Sequence, residues 1–238
     1  VAARVQIETF LSSLKAPDWD PGLAEYRHHL LALNEICNHV RATTGEHIEG
    51  NLICLAPHEY ATLPDLPDQQ LLAKRRNYAT YIVTGVSLLE IGFNAGHSAL
   101  IALTINPALT YSGIDLGHHA YTLPCFNYLK TVFGDRLNLE IGDSREILPT
   151  IFHSGHRYDL FHIDGGHSFG VAHADLASMI QFCRDGDVIL FDDTDLEHLL
   201  LDELCDIYAI KGLVTRVQTS KLWSGNRHVL LRVNKPGR

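Results

Sequence analysis

Two short stretches gather the side chains best able to do chemistry. "YDLFHIDGGHSF" (158–169) ends an apolar run in Asp164 with His167 three residues on, and "DVILFDD" (187–193) ends another in Asp192 and Asp193. If the two runs are neighbouring strands, three carboxylates and an imidazole meet at one sheet edge. Carboxylates so gathered repel one another unless protons or a cation intervene, and oxygen ligands suit a hard ion such as Mg²⁺. Asp164, Asp192 and Asp193 are therefore candidate metal ligands. His167 is a candidate proton acceptor, because an imidazole near its ordinary pKa is largely neutral at pH 7. Such an ion would hold two neighbouring substrate oxygens and acidify one hydroxyl, which points to a small molecule with vicinal hydroxyls, such as a sugar, polyol or catechol. The bland alternative is helix capping, for which Asp193-Thr194-Asp195 is well suited.

A second candidate site lies in "LLEIGFNAGHSAL" (88–100). A dinucleotide fingerprint would need glycines at 92, 94 and 97, and the chain has Gly92, Asn94 and His97. That disfavours a pyrophosphate, and with it an NAD-dependent oxidoreductase. Glu90, Gly92 and Gly96 instead frame a wider turn, for a ligand that lies close to the backbone and brings no phosphate. Asp115 closes the next apolar run and Asp143-Ser144 the one after, each at a point where a helix cap is the competing explanation.

The elements that must position these residues follow from patterning. "VSLLEIG", "YSGIDL", "LNLEIG", "YDLFHID" and "DVILFDD" each precede a helix-length segment, the alternation of an α/β doubly wound parallel sheet. "VILF" (188–191) is apolar throughout, as a strand covered on both faces should be, whereas Leu137, Leu139 and Ile141 alternate with polar residues, as at a sheet edge. "GLVTRVQT" and "RHVLLRV" have no helix between them and predict an antiparallel hairpin. Residues 1–84 read as an N-terminal helical cap: Asp20-Pro21 as cap and first-turn proline, Leu30, Leu33, Cys37 and Val40 as an apolar stripe, and a second helix over 71–82. The cap is expected to close over the ligand, with residues 85–238 forming the main domain.

"EIGFNAG" resembles motif I of the class I S-adenosylmethionine-dependent methyltransferases. The resemblance, covering roughly residues 70–235, implies a Rossmann-like seven-stranded sheet with a reversed last strand. It implies that the glycine turn (Gly92, Asn94, Gly96) packs under the cofactor's methionine part and that Glu90 assists its ammonium. It further implies Asp115 at the ribose, Asp143 and Ser144 beside the adenine, and Asp164 near the sulfonium. The Asp-Gly-x-His step from Asp164 to His167 and the Asp192-Asp193 pair are similar to those of metal-dependent sugar and catechol O-methyltransferases, implying Mg²⁺ and O-methylation. Competing readings are metal-independent N-methyl or aminocarboxypropyl transfer, and a cofactor-binding protein without turnover. The set of Asp164, His167 and Asp192 argues against the last, since binding alone needs no such cluster.

The other polar residues have plainer readings. His28, His29, His39 and His47 have no ligand cluster, His162 packs within a strand, and His118 and His119 begin a helix that borders the adenosine site at most. Arg75, Arg76 and Tyr78 read as a solvated helix face, and Lys221 and Trp223 as a substrate wall at most. The net charge of −9 over 238 residues excludes general attraction to nucleic acid or anionic lipid. No apolar run nears the ~20 residues of a membrane span, and "VAARVQIETF" holds no signal-peptide core. Five scattered cysteines without a CxxC pair read as core residues of a reducing, cytoplasmic compartment.

Overall fold

The computed structural model describes residues 20, 22–55, 62–194, 200–217 and 228–235. Strands β1 (Ser87–Ile91), β2 (Thr110–Asp115), β3 (Leu137–Ile141), β4 (Leu160–Ile163) and β5 (Val188–Phe191) run parallel. β6 (Val214–Arg216) and β7 (Val229–Val233) pair antiparallel, and β7 also lies antiparallel to β5. The sheet order is β3-β2-β1-β4-β5-β7-β6. β3 is thus at an edge and β5 inside, as their patterns predict. The order reverses between β1 and β4, and a crevice opens at the carboxyl ends of strands beside such a switch point.

Helices α1 (Leu23–Thr44), α2 (Leu72–Ile82), α3 (His97–Ile105) and α4 (Thr122–Phe133) share one apolar core, while α5 (Ser144–His153), α6 (Phe169–Phe182) and α7 (Leu201–Ile210) share another. β1 feeds both, Leu88 packing with the first group and Leu89 with the second, because successive strand side chains face opposite ways. Tyr26, Leu30, Leu33 and Cys37 of α1 join Leu100, Ile101 and Cys125 in a continuous cluster. The N-terminal helices therefore complete the covering of one sheet face. No described helix is long and apolar enough to cross a membrane.

Two expectations change here. Asp20 does not cap α1; Gly22 does, in the left-handed region at φ 69°, and Pro21 lies outside the described residues. Asp20 instead takes a bidentate ion pair from Arg75, with Nη2 at 2.6 Å and Nε at 2.9 Å. Arg75 is fully buried, and its Nη1 donates to the carbonyls of Leu52 and Asp68. The expected solvated face of α2 is therefore interior: every residue from Lys74 to Ile82 is buried. A charged residue is hidden this way only when its donors are matched. All five cysteines are free and buried, as expected. Asp195, Lys221 and Trp223 lie outside the described residues.

Candidate active site

The turn from β1 into α3 depends on its glycines. Gly92 has φ 98°, and a Cβ there would lie 2.0 Å from the Asp164 carbonyl oxygen. Gly96 has φ 78°, and a Cβ would meet the Phe93 ring at 2.6 Å and Leu129 at 2.7 Å. Asn94 between them also takes a positive φ, 53°. Its Oδ1 is buried without a hydrogen-bond partner, and Nδ2 donates to the Gly50 carbonyl at 3.4 Å. Asp115, ending β2, accepts the backbone N–H groups of Phe93 (3.0 Å) and Asn94 (2.8 Å) on one oxygen and that of Gly117 (2.7 Å) on the other. The acid expected to meet a ribose thus also organises the turn.

Glu90 lies below this turn. It is fully buried and accepts the hydroxyls of Ser98 (2.6 Å) and Tyr78 (3.3 Å), with His162 Nδ1 at 3.2 Å. It is not among the cavity-lining residues. His97, where a dinucleotide fold would have glycine, is a core residue whose pKa burial pulls down to about 4; its Nε2 is 3.5 Å from Asn34 Oδ1. Asp143 caps α5, accepting the Arg145 N–H at 2.9 Å, and its pairing with the Arg145 side chain pulls its pKa to about 2. Ser144 donates to Asp175 on α6. Capping and cavity lining coexist at Asp143 and Ser144, since both line the same cavity as Asp115.

The acid cluster divides in two. The ligand atoms of Asp164, His167 and Asp193 lie within 4.8 Å of one another, whereas Asp192 groups with His162 and His228. His167 Nε2 is 3.0 Å from Asp193 Oδ2 and 4.0 Å from Asp164 Oδ1. Hydrogen bonding to Asp193 raises the His167 pKa above its ordinary value. Burial, then the charge of Asp192, pushes Asp164 well above the carboxylate range. Asp192 is held well below it despite burial, because Lys74 Nζ sits 2.6 Å from Oδ2 and His228 Nε2 lies 3.4 Å from Oδ1. The cation that three converging acids require is thus partly supplied by the chain itself.

Asp164 and His167 share a cavity of about 400 Å³ with the glycine turn, Asp115, Asp143 and Ser144. Its far wall is residues 49–52 of the N-terminal segment. That wall is tied down by His119, whose Nδ1 is 2.7 Å from Glu46 Oε1 and whose ring stacks on Tyr121 at 4.9 Å. Sequence reasoning missed Lys74 and His228. No local signal marks them, because each acts on acids distant in the chain.

Residues 89–194 match the family model described as Methyltransferase domain. An O-methyltransferase from Bacillus cereus, solved with S-adenosylhomocysteine, shares 15% identity over 96% of this chain and 97% of its own, with a TM-score of 0.56. TomG, an O-methyltransferase of tomaymycin synthesis from Streptomyces achromogenes, solved with S-adenosylmethionine, shares 16% over 96% of each chain, with a TM-score of 0.55. CalS11, a TDP-rhamnose 3'-O-methyltransferase of calicheamicin biosynthesis, shares 15% over 68% of this chain and 77% of its own, with a TM-score of 0.50. At these identities the likeness is one of fold. No curated protein matches the sequence. Residues 89–194 thus carry a match to a methyltransferase domain, on a seven-stranded sheet of the fold these O-methyltransferase structures share.

Proposed function

We propose that the protein methylates a hydroxyl oxygen of a small molecule, with Mg²⁺ held by Asp164 and Asp193 and with His167 as proton acceptor. The observation that carries this is the convergence of those three residues, at the ends of β4 and β5, beside the cavity that runs past the glycine turn. The residues fit a cationic cofactor: Asn94 Oδ1 is buried without a partner, and Asp164 is a desolvated acid whose nearest ion pair among the described residues is His167 at 4.0 Å. They also fit a hard ion, since Asp164, which lines the cavity, and Asp193 offer carboxylate oxygens within 4.8 Å of each other. When bound, S-adenosylmethionine would supply an electrophilic methyl group and the ion would acidify a hydroxyl.

The chain's own residues do the rest. Gly92 and Gly96 let a ligand approach the backbone, Asp115 keeps a lone pair on Oδ1 for a ribose hydroxyl, Asp143 and Ser144 line the adenine end, and His167 takes the proton released on transfer. Residues 49–52 act as a wall that excludes water, which would compete for the methyl group. An acceptor with neighbouring hydroxyls suits paired carboxylates and an ion, and the sugar acceptor of CalS11 is of that class. Free buried cysteines suit a cytoplasmic setting. Metal-independent transfer is the second reading, and Lys74 favours it by already placing a cation on Asp192 and Asp193.

The test is single-turnover methyl transfer from S-adenosylmethionine to a panel of sugars, polyols and catechols, with Mg²⁺ or with excess chelator. Asp193→Asn should lose turnover while keeping cofactor affinity, whereas Asp164→Asn should lose turnover and weaken cofactor binding as well. His167→Ala should slow transfer roughly 10²- to 10⁴-fold, the range of a positioned general base, with metal affinity near wild type. Full activity in chelator would select the metal-independent reading. Loss of metal affinity in His167→Ala would make that imidazole a ligand.

A further inference from the structure

Lys74 has no counterpart in the sequence reading and does not line the cavity, yet it reaches the centre of the acid cluster. It is 5% exposed, and burial of an ammonium is costly unless it is closely paired. Nζ lies 2.6 Å from Asp192 Oδ2 and 3.4 Å from Asp193 Oδ1. The other Asp193 oxygen, Oδ2, is 3.0 Å from His167 Nε2. Asp193 is therefore shared, with one oxygen facing the lysine and one facing the imidazole. Asp192 is held on both oxygens, by Lys74 and by His228 Nε2 at 3.4 Å from Oδ1.

The backbone that carries Lys74 is fixed. The next residue, Arg75, is locked to Asp20 at 2.6 Å, Tyr78 reaches Glu90 at 3.3 Å, and the Tyr81 hydroxyl donates to the Val188 carbonyl at 2.6 Å. α2 is thus bolted to both sides of the sheet switch point, and the ammonium cannot leave the acids without unpacking the helix.

We propose that Lys74 is a resident counter-cation of the acid cluster. It withholds Asp192 from the divalent-ion ligands and turns Asp193 toward His167, so that the site takes one ion, between Asp164 and Asp193, at an affinity the ammonium lowers. This rests on the metal reading above. It makes Lys74 a positioning residue, supplied from outside the segment that matches the methyltransferase domain.

The experiment is Mn²⁺ titration of the full chain, followed by electron paramagnetic resonance of the free ion, in wild type and four variants, each checked for folding by thermal unfolding. Lys74→Met removes a positive charge beside a ligating carboxylate and frees Asp192, so it should bind Mn²⁺ roughly tenfold or more tighter. Lys74→Arg keeps the charge and should bind as wild type does. Asp192→Asn should stay within about threefold of wild type, while Asp193→Asn should lose at least about tenfold. A folded Lys74→Met with unchanged affinity overturns the inference. So does an Asp192→Asn that loses Mn²⁺ as fully as Asp193→Asn, and this arm holds even if Lys74→Met fails to fold. If wild type binds no Mn²⁺ and Lys74→Met does, the metal reading falls and the counter-cation stands. If neither binds, both fall.

Discussion

Asp192 and Asp193 are adjacent in sequence and opposite in circumstance. One is sealed between Lys74 and His228, while the other shares its oxygens between Lys74 and His167 at the site. Residue types at strand ends were legible, but not which way each acid turns, because period-two alternation lapses where a strand gives way to a loop. Glu90 shows the same limit, being a strand acid held by Ser98 and Tyr78 beneath the cavity. Asp115 carries a prediction at this scale. Its three backbone N–H partners mean that Asp115→Ala should lower thermal stability as well as cofactor affinity, each lost charge-assisted bond costing roughly 1.5–3 kcal/mol. Calorimetry with S-adenosylhomocysteine and a thermal melt measure the two losses. An unchanged melting temperature would leave Asp115 a ligand contact alone.

Elements were legible where both faces of a segment report burial. The continuous apolar run of β5 and the alternation of β3 gave their interior and edge positions correctly. α2 was placed correctly but read as charged and exposed, since nothing local reveals that Lys74 and Arg75 pair with acids 119 and 55 residues away. The β1–α3 turn yields two tests. Gly92→Ala would force a Cβ against the Asp164 carbonyl at 2.0 Å in a left-handed conformation, costing roughly 2–6 kcal/mol from overlap and backbone strain together. Gly45→Ala has φ 74° but nothing within 4 Å, so urea unfolding should show the smaller, strain-only loss there. His97 gives a pH dependence. Burial depresses its pKa to about 4 from 6.5, so the unfolded chain binds the extra proton between those values. Stability should therefore rise with pH across that window, by at most roughly 1.4 kcal/mol per unit from this group, and be flat in it above 6.5. His97→Gln should flatten that slope, and an unaltered slope would assign the dependence to other groups.

At the scale of the whole molecule, the N-terminal helices bear on both the wall of the cavity and the core beneath it. The sequence suggested a cap from its helical stripe and proline breaks, and residues 49–52 do wall the cavity. What patterning could not show is that the stripe of α1 and the buried length of α2 pack into the same cluster as α3 and α4. An amphipathic stripe reports that a face is covered but not what covers it. The consequence concerns truncation. A chain beginning at Tyr81 would lose Tyr26, Leu30, Leu33, Cys37 and Tyr78 from that cluster and expose Leu100, Ile101 and Cys125, and would lose Lys74 from the acids. Removing several fully buried large side chains, at roughly 2–5 kcal/mol each, exceeds the 5–15 kcal/mol that holds a domain together. The truncated chain should therefore fail to unfold cooperatively in urea, and a methyl-transfer assay on it would report misfolding. A truncated chain with a sharp unfolding transition and cofactor affinity intact would instead make the N-terminal segment a separable lid, and its loss of turnover could then be read as loss of closure.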